Sequence, residues 1–499
     1  MNDVADGASL AEKYDTVAYA AQANPLSHVS HAATVATLLG MNPPAPRDCR
    51  VLELGCSDGA NLLPMAESLP HASFLGCDIA PRAIAAAKQT AAEVALANVT
   101  FVEQDLRELV LDSGPFDYIV AHGVYSWVPA PVRDALFEIA ARHLGENGVM
   151  FVSYNTYPGC HIRRAAWDIL HFHVDRIEGA AARLDAARAL ASILAEPGLA
   201  QDENDAMLRG EFKRLAVQSD SALYHDDLGV PNDPVYFHEF VAHAEGHGLT
   251  FLAEAKLSMM TAAGLAPRAQ QLVGTLDRLP REQYLDFARV RRFRQSLVCH
   301  HASAPTDFKL RAERVGALYA GASTALVRSA AEGRGVIGAS AAPGTEPADL
   351  RALLEWLVTL APDTVSVDDA RVWWRKRTGN RPAARSLEDL LLDACVAGMV
   401  DLHVDRSAIA SRAGDRPIAS GLARWQSARQ ERVTNLRHET LTLKDQTVRR
   451  CLSLLDGTRD RAAIVDALRP ALSSIDRATA SALIDDYLTH FAKLALLSA

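Results

Sequence analysis

Apolar and polar positions change their rhythm twice along this chain. From Arg50 to Tyr154, short apolar runs alternate with stretches of helical spacing. The runs Val51–Leu54, Ser73–Cys77, Val99–Val102, Tyr118–Ala121 and Val149–Ser153 predict strands. Between them Ala60–Leu69, Arg82–Ala95 and Pro131–Leu144 predict helices, because their apolar positions recur every three or four residues. Strands joined by helices of this length imply βαβ units and a parallel sheet, with ligands at the carboxyl ends of the strands.

Beyond Tyr154 the texture turns helical. Residues 162–220 are rich in Ala, Leu and Arg, as in Ala180–Ala195. A turn-rich segment, Asp226–Pro234, precedes a predicted helix, Val235–His247, and a strand, Leu249–Ala253. A further β-compatible run is Phe293–Cys299. The last two complete the first sheet, so 1–300 reads as one α/β unit with a helical insertion at about 162–230. Gly333–Pro347 reads as a linker. The helical patterns after it divide into a mainly helical middle domain, 301–400, and a small helical or winged-helix-like domain, 401–499.

Composition narrows the class. The chain has 499 residues, 49% hydrophobic and 22% charged, which excludes wholesale disorder. Lys and Arg total 51 against 61 for Asp and Glu, a net charge of -10, which disfavours bulk nucleic-acid binding. No stretch reaches the roughly 20 apolar residues of a membrane span. Met1–Leu10 carries Asp3 and Asp6 and does not read as a signal peptide. The seven cysteines stand singly, without a C-x-x-C pair, which fits a cytoplasmic protein. The seventeen histidines show no H-E-x-x-H or comparable spacing, so no metal is expected. Trp373-Trp374 beside Arg375, Lys376 and Arg377 reads as packing next to solvated charge.

The sharpest local signal is Val51-Leu52-Glu53-Leu54-Gly55-Cys56-Ser57-Asp58-Gly59, a buried strand turning through glycine into a helix. Glycine lets the backbone turn tightly and approach a ligand. The dinucleotide fingerprint would need glycine at position 57, where Ser57 stands. Glu53 and Asp58 would repel a pyrophosphate and attract an ammonium group. Asp78 ends the second strand, placed to accept from ribose hydroxyls, and Glu103-Gln104-Asp105-Leu106 ends the third, where a carboxylate can meet an adenine amino group. A nucleoside bearing an amino acid fits all three ends, and S-adenosylmethionine has that shape.

These motifs in this order resemble a class I S-adenosylmethionine-dependent methyltransferase with a Rossmann-like sheet. The resemblance implies S-adenosyl-L-methionine as cofactor. Its binding residues here would be Glu53, Gly55, Cys56, Asp58, Gly59, Asp78, Ile79, Gln104, Asp105, Leu106 and His122. The fourth and fifth strands run into His122-Gly123-Val124-Tyr125-Ser126-Trp127 and Ser153-Tyr154-Asn155-Thr156-Tyr157. Aromatic faces there would stabilise a cation by roughly 0.5–2 kcal/mol each when desolvated.

Both segments resemble bacterial protein-lysine methyltransferases with a methyltransferase regulatory domain. So do Tyr14-Asp15 through Thr34–Met41, Tyr224-His225-Asp226, Pro234–Phe237, Phe293-Arg294-Gln295-Ser296 and Val433–His438. The resemblance implies a protein substrate with a lysine acceptor. Tyr125, Trp127, Tyr157 and His122 are the expected catalytic-site residues, positioning groups rather than bases. A desolvated amine needs alignment more than a strong base. His161 reads as a helix cap. The helical insertion is a candidate homodimer surface. A small-molecule O- or N-methyltransferase and a non-catalytic donor-binding sensor are the alternatives.

Overall fold

The computed structural model describes residues 16–17, 19–111, 114–197, 202–333, 347–379, 385–406 and 408–498. Tyr14, Asp15 and the body of the expected linker lie outside them.

Helix α1 (Val29–Leu38) precedes a seven-stranded sheet. Its strands are β1 (Arg50–Leu54), β2 (Ser73–Asp78), β3 (Val99–Glu103), β4 (Phe116–Ala121), β5 (Leu144–Asn155), β6 (Leu249–Glu254) and β7 (Phe293–His300), in the order β3-β2-β1-β4-β5-β7-β6. The first five pair in parallel, joined by α2 (Leu62–Ser68), α3 (Pro81–Glu93) and α4 (Ala130–His143). β7 lies antiparallel between β5 and β6, so late segments close one edge of an early sheet. Alternation along the strands sorts the core into two layers. Val51, Val149 and Phe151 pack with α1 and α2, while Leu52, Leu54, Met150 and Val152 pack with α4.

The insertion comprises α5 (Cys160–Val174), α6 (Ala180–Leu194) and α7 (Glu203–Ala216). It has its own core around Leu170, Val174, Ala187 and Phe212, and leaves Phe172 90% exposed. The fully buried Asp227 accepts from Trp167 Nε1 (2.8 Å), Arg163 (3.0 Å) and Arg214 (2.8 Å). This locks the helical segment Leu223–Asp227 onto the three helices. Helix α8 (Phe237–Gly246) then leads into β6, and α9 (Arg278–Arg289) into β7. Arg294 of β7, fully buried, meets Glu254 (2.7 Å), Asp286 (2.8 Å) and Glu282 (3.2 Å). Removing one partner of such a buried network typically costs about 3–5 kcal/mol. The network fixes the start of β7 beside the sheet's ligand end.

One hydrophobic core crosses residue 300: Val35 and Leu38 of α1 share it with Val315, Leu318, Leu353 and Leu354. The C-terminal part gathers Val433, Leu452, Ile464, Leu488 and Phe491 into a separate core. It holds the hairpin β11 (Arg432–Thr434) and β12 (Thr440–Thr442) and helices α10 (Gln446–Ser453), α11 (Arg461–Leu468) and α12 (Arg477–Lys493). Beyond the helices expected there, β8 (Tyr319–Ala322), β9 (Val365–Ser366) and β10 (Val400–His403) form a second sheet. Strands of two to four residues are too short to display alternation, and Tyr319-Ala320-Gly321-Ala322 carries no β-branched residue. No helix among the described residues is long and apolar enough to cross a membrane.

Candidate active site

The ends of β1 to β5 open into a cavity of about 740 Å³. Gly55 and Gly59 have φ of +74° and +76°, a region that favours glycine. A Cβ on Gly55 would stand 2.4 Å from Val124 Cγ2, so this turn tolerates nothing larger. Asp78 ties the turn to β2, accepting from the Ser57 N–H (2.7 Å) and the Ala80 N–H (2.9 Å). Burial, the largest influence, raises its carboxyl above the usual range.

Glu53 is 2% exposed. Its Oε1 accepts from Asn61 Nδ2 at 2.7 Å, and its Oε2, equally buried, has no partner among the described residues. Burial pushes this carboxyl up to about 8. A cationic ligand group would satisfy the unpaired oxygen and restore the charge. Gln104 donates to the Glu108 carbonyl (2.7 Å) and Asp105 pairs with Arg107 (2.6 Å), so both expected adenine contacts are already held by their own turn. Cys56, Asp58, Ile79, Leu106 and His122 also line the cavity. Gly59 does not. It sits one layer down, where a Cβ would meet the Phe101 ring at 2.9 Å.

On the β5 and β7 side the cavity is lined by Tyr19, Asn155, Arg163, Asp226 and Phe293, and Trp127 lines it from the turn after β4. Arg163 is committed to Asp227. Asp226 faces the cavity beside it, its carboxyl pushed up to about 6 by burial and the neighbouring Asp227. Phe293 (41% exposed) and Tyr19 (39%) form a rim. His122 lines the cavity as well. Its Nδ1 lies 2.9 Å from Ser153 Oγ, which also accepts from the Gly123 N–H at 2.8 Å. Burial holds His122 down to about 4, so it is neutral at physiological pH.

Besides Gly59, two expected site residues lie elsewhere. Tyr125 is 2% exposed and turned into the core among Phe137, Tyr154 and Phe240. Its hydroxyl pairs with His243 Nδ1 (2.8 Å), and His243 Nε2 with Asp134 (2.9 Å). Both ring nitrogens of His243 are thereby engaged, which disfavours a metal at the Asp134, His243, His247 group. Tyr157 stacks on His161 (4.0 Å) and leans on Tyr236 (5.3 Å), outside the cavity lining. His161 contacts the Tyr236 hydroxyl at 3.1 Å rather than capping its helix. Asn61, Asn155, Asp226 and Phe293 were not singled out in the sequence as site residues. Tyr224-His225-Asp226 and Phe293-Arg294 stood out only as family-like segments.

Three family models match consecutive parts of the chain. They are a methyltransferase domain (51–148), a predicted methyltransferase regulatory domain (219–300) and a PKMT C-terminal winged helix domain (415–476). Uncharacterized protein RP028 of Rickettsia prowazekii is 32% identical over 237 residues, covering 46% of this chain and 93% of that protein. Uncharacterized protein RP789 of the same organism is 36% identical over 291 residues, 58% of this chain, and the match spans about half (52%) of its length. PKMT2 from Rickettsia typhi, solved with AdoHcy, has a similar fold. Its TM-score is 0.82 at 24% identity, over 96% of this chain and 99% of that one.

Proposed function

We propose a protein-lysine acceptor for this chain, which belongs to the class I S-adenosylmethionine-dependent methyltransferases that carry a methyltransferase regulatory domain. The observation that carries this reading is the shared cavity. A buried carboxylate oxygen with no partner among the described residues stands at the end of β1, the Asp226 carboxylate and Phe293 on the β5 and β7 side, and Trp127 also lines the space. The first end suits the amino-acid and ribose parts of S-adenosyl-L-methionine. The second suits a cation that arrives on a long apolar stem. The PKMT name of the winged-helix match and of the structural neighbour supports the same acceptor class.

When bound, the donor supplies an electrophilic methyl carbon on a sulfonium centre. Glu53 Oε2 would take the ammonium of its amino-acid part, and Asp78 the ribose hydroxyls. His122, neutral and tethered to Ser153, shapes the wall near the reacting atoms and is too weak a base to draw a proton from lysine. A lysine ammonium, of ordinary pKa about 10.4, must lose a proton before it can attack. Asp226 would hold the incoming ammonium, and Trp127 and Phe293 would strip its water, which lowers that pKa against the opposing pull of the carboxylate. The Asp226 carboxylate, a stronger base than water, would take that proton and hand it on to solvent at the rim.

Purified protein incubated with radiolabelled methyl donor and a cell lysate, then resolved on a gel, tests the reading. Label in protein bands that yield methyl-lysine on hydrolysis is expected. Label confined to small molecules would favour a small acceptor, and none at all a donor-binding sensor.

A further inference from the structure

We propose that His438, from the C-terminal module, is a positioning residue of the donor site, holding Asn61 so that Asn61 orients Glu53. The reading rests on the cavity's being that site. It gives the winged-helix-like module a part in donor binding rather than in substrate recognition alone.

The hairpin loop between β11 and β12 is rigid for local reasons. Asn435 Oδ1 accepts from the N–H groups of Arg437 (3.0 Å) and Glu439 (2.9 Å), and Asn435 Nδ2 donates to the Leu494 carbonyl (3.0 Å). His438 sits at its tip with φ +62° and is only 4% exposed, because the tip is driven into the α/β unit. There its ring stands edge-on to His28 at 5.1 Å. Its Nε2 is 2.8 Å from Asn61 Oδ1. That oxygen also accepts from the Asn24 N–H and Ser27 Oγ, both at 3.0 Å. Three donors on one amide oxygen leave Asn61 a single orientation, with Nδ2 turned to Glu53 Oε1 at 2.7 Å. Glu53 then presents its Oε2, which has no partner among the described residues.

The contact is backed by others that dock the module on the same unit. Glu67 of α2 accepts from Ser420 Oγ (2.6 Å) and from the Gly421 and Leu422 N–H groups, and Trp425 Nε1 donates to Glu93 (2.6 Å). His438 Nδ1 is buried without a partner among the described residues. An orphaned buried acceptor is a cost that packing alone would avoid with an apolar side chain.

Two substitutions separate positioning from filling. His438→Asn keeps a side chain at home at positive φ but too short to reach Asn61. His438→Gln places an amide N–H near the position of Nε2. Calorimetry with S-adenosylhomocysteine should give a Kd about fivefold weaker for His438→Asn and within about twofold of wild type for His438→Gln. The donor KM should rise by the same factor in His438→Asn, with kcat at saturating donor moving less than about twofold. In an Asn61→Ala background, His438→Asn should weaken binding no further. A folded His438→Asn chain with unchanged Kd overturns the inference. So does a His438→Gln chain as weak as His438→Asn, or full additivity with Asn61→Ala. A wild-type chain that binds no S-adenosylhomocysteine overturns the donor-site reading itself.

Discussion

The two ends of the cavity are built on different plans. At the donor end, Glu53, Gly55 and Asp78 come from strands joined by one βαβ unit, and each is tied to the backbone or to a buried amide. At the acceptor end, Tyr19, Asn155, Asp226 and Phe293 come from segments scattered over more than half the chain. Asp226 and Phe293 adjoin the ion-pair networks around Asp227 and Arg294, Tyr19 packs on His225 and Asn155 bonds Asn232, and the rings of Tyr19 and Phe293 are about 40% exposed. Strand ends hold side chains more tightly than loops do. On the proposed function, the donor end is preorganised for one ligand, and the acceptor end is a rim that receives a protein partner. Substitutions should divide accordingly.

The largest effect is expected at Asp78. It holds two backbone N–H groups and still faces the cavity, so Asp78→Ala would loosen the turn as well as the site. Asp78→Asn keeps an acceptor and removes the charge. Loss of one charge-assisted bond, roughly 1.5–3 kcal/mol, predicts about a 10- to 150-fold weaker affinity for S-adenosylhomocysteine. Calorimetric titration checks it, and the acceptor KM at saturating donor should hardly move.

Glu53 gives the donor end a pH signature. Its carboxyl stands near 8 in the free protein, above its ordinary 4.5, so its protonated form is the more stable. The stability this contributes is complete below about 4.5 and is lost as pH rises through about 8. A bound ammonium favours the carboxylate, so binding must expel a proton. Affinity should rise about tenfold per pH unit between pH 6 and 7 and level off near 8, where the ligand amine itself begins to titrate. Glu53→Gln should flatten that slope. A slope that survives in Glu53→Gln would assign it to another group.

At the acceptor end the expectation reverses. Asp226→Asn should raise the KM for a protein acceptor about 3- to 10-fold, the worth of one partly solvated charge contact. The Kd for S-adenosylhomocysteine should stay within about twofold, since among the described residues no donor-end group is seen to bond to Asp226. Initial-rate kinetics with each substrate varied in turn separate the two. A fall in donor affinity instead would mean that the ends are not independent.

This division also explains what was legible in the sequence. The sheet could be read because alternation, glycine turns and helical spacing repeat from Val51 to Ser153, and β6 and β7 carry the same apolar signature. The cavity lining at the ends of β1 to β3 was legible because its residues sit at fixed offsets from the strands that carry them. Asn155, Asp226 and Phe293 were not, because their meeting depends on how the insertion and β7 pack, and Asn61 was not, because Asn24, Ser27 and His438, distant in sequence, are what turn it toward Glu53. Tyr125 was misplaced for a local reason. Val124–Trp127 is a turn closed by the Trp127 N–H on the Val124 carbonyl at 2.8 Å, so the strand's alternation ends before Tyr125 and sends it into the core.

The smallest effect is expected there. Tyr125→Phe removes the hydroxyl that pairs with His243 and leaves the ring in its aromatic cluster. Burial already pushes that phenol up to about 12, so it is neither an acid nor a base near neutral pH. Catalytic rates with either substrate should therefore remain within about twofold of wild type. Stability should fall by about 1 kcal/mol, the usual net worth of one buried hydrogen bond, read as a lower melting temperature. Trp127→Ala, two residues on but facing the cavity, should show the opposite pattern, with activity lost at little cost in stability. If Tyr125→Phe instead abolished turnover with its melting temperature unchanged, the hydroxyl would belong to the acceptor end after all, and the core contact with His243 would be one of two positions it occupies.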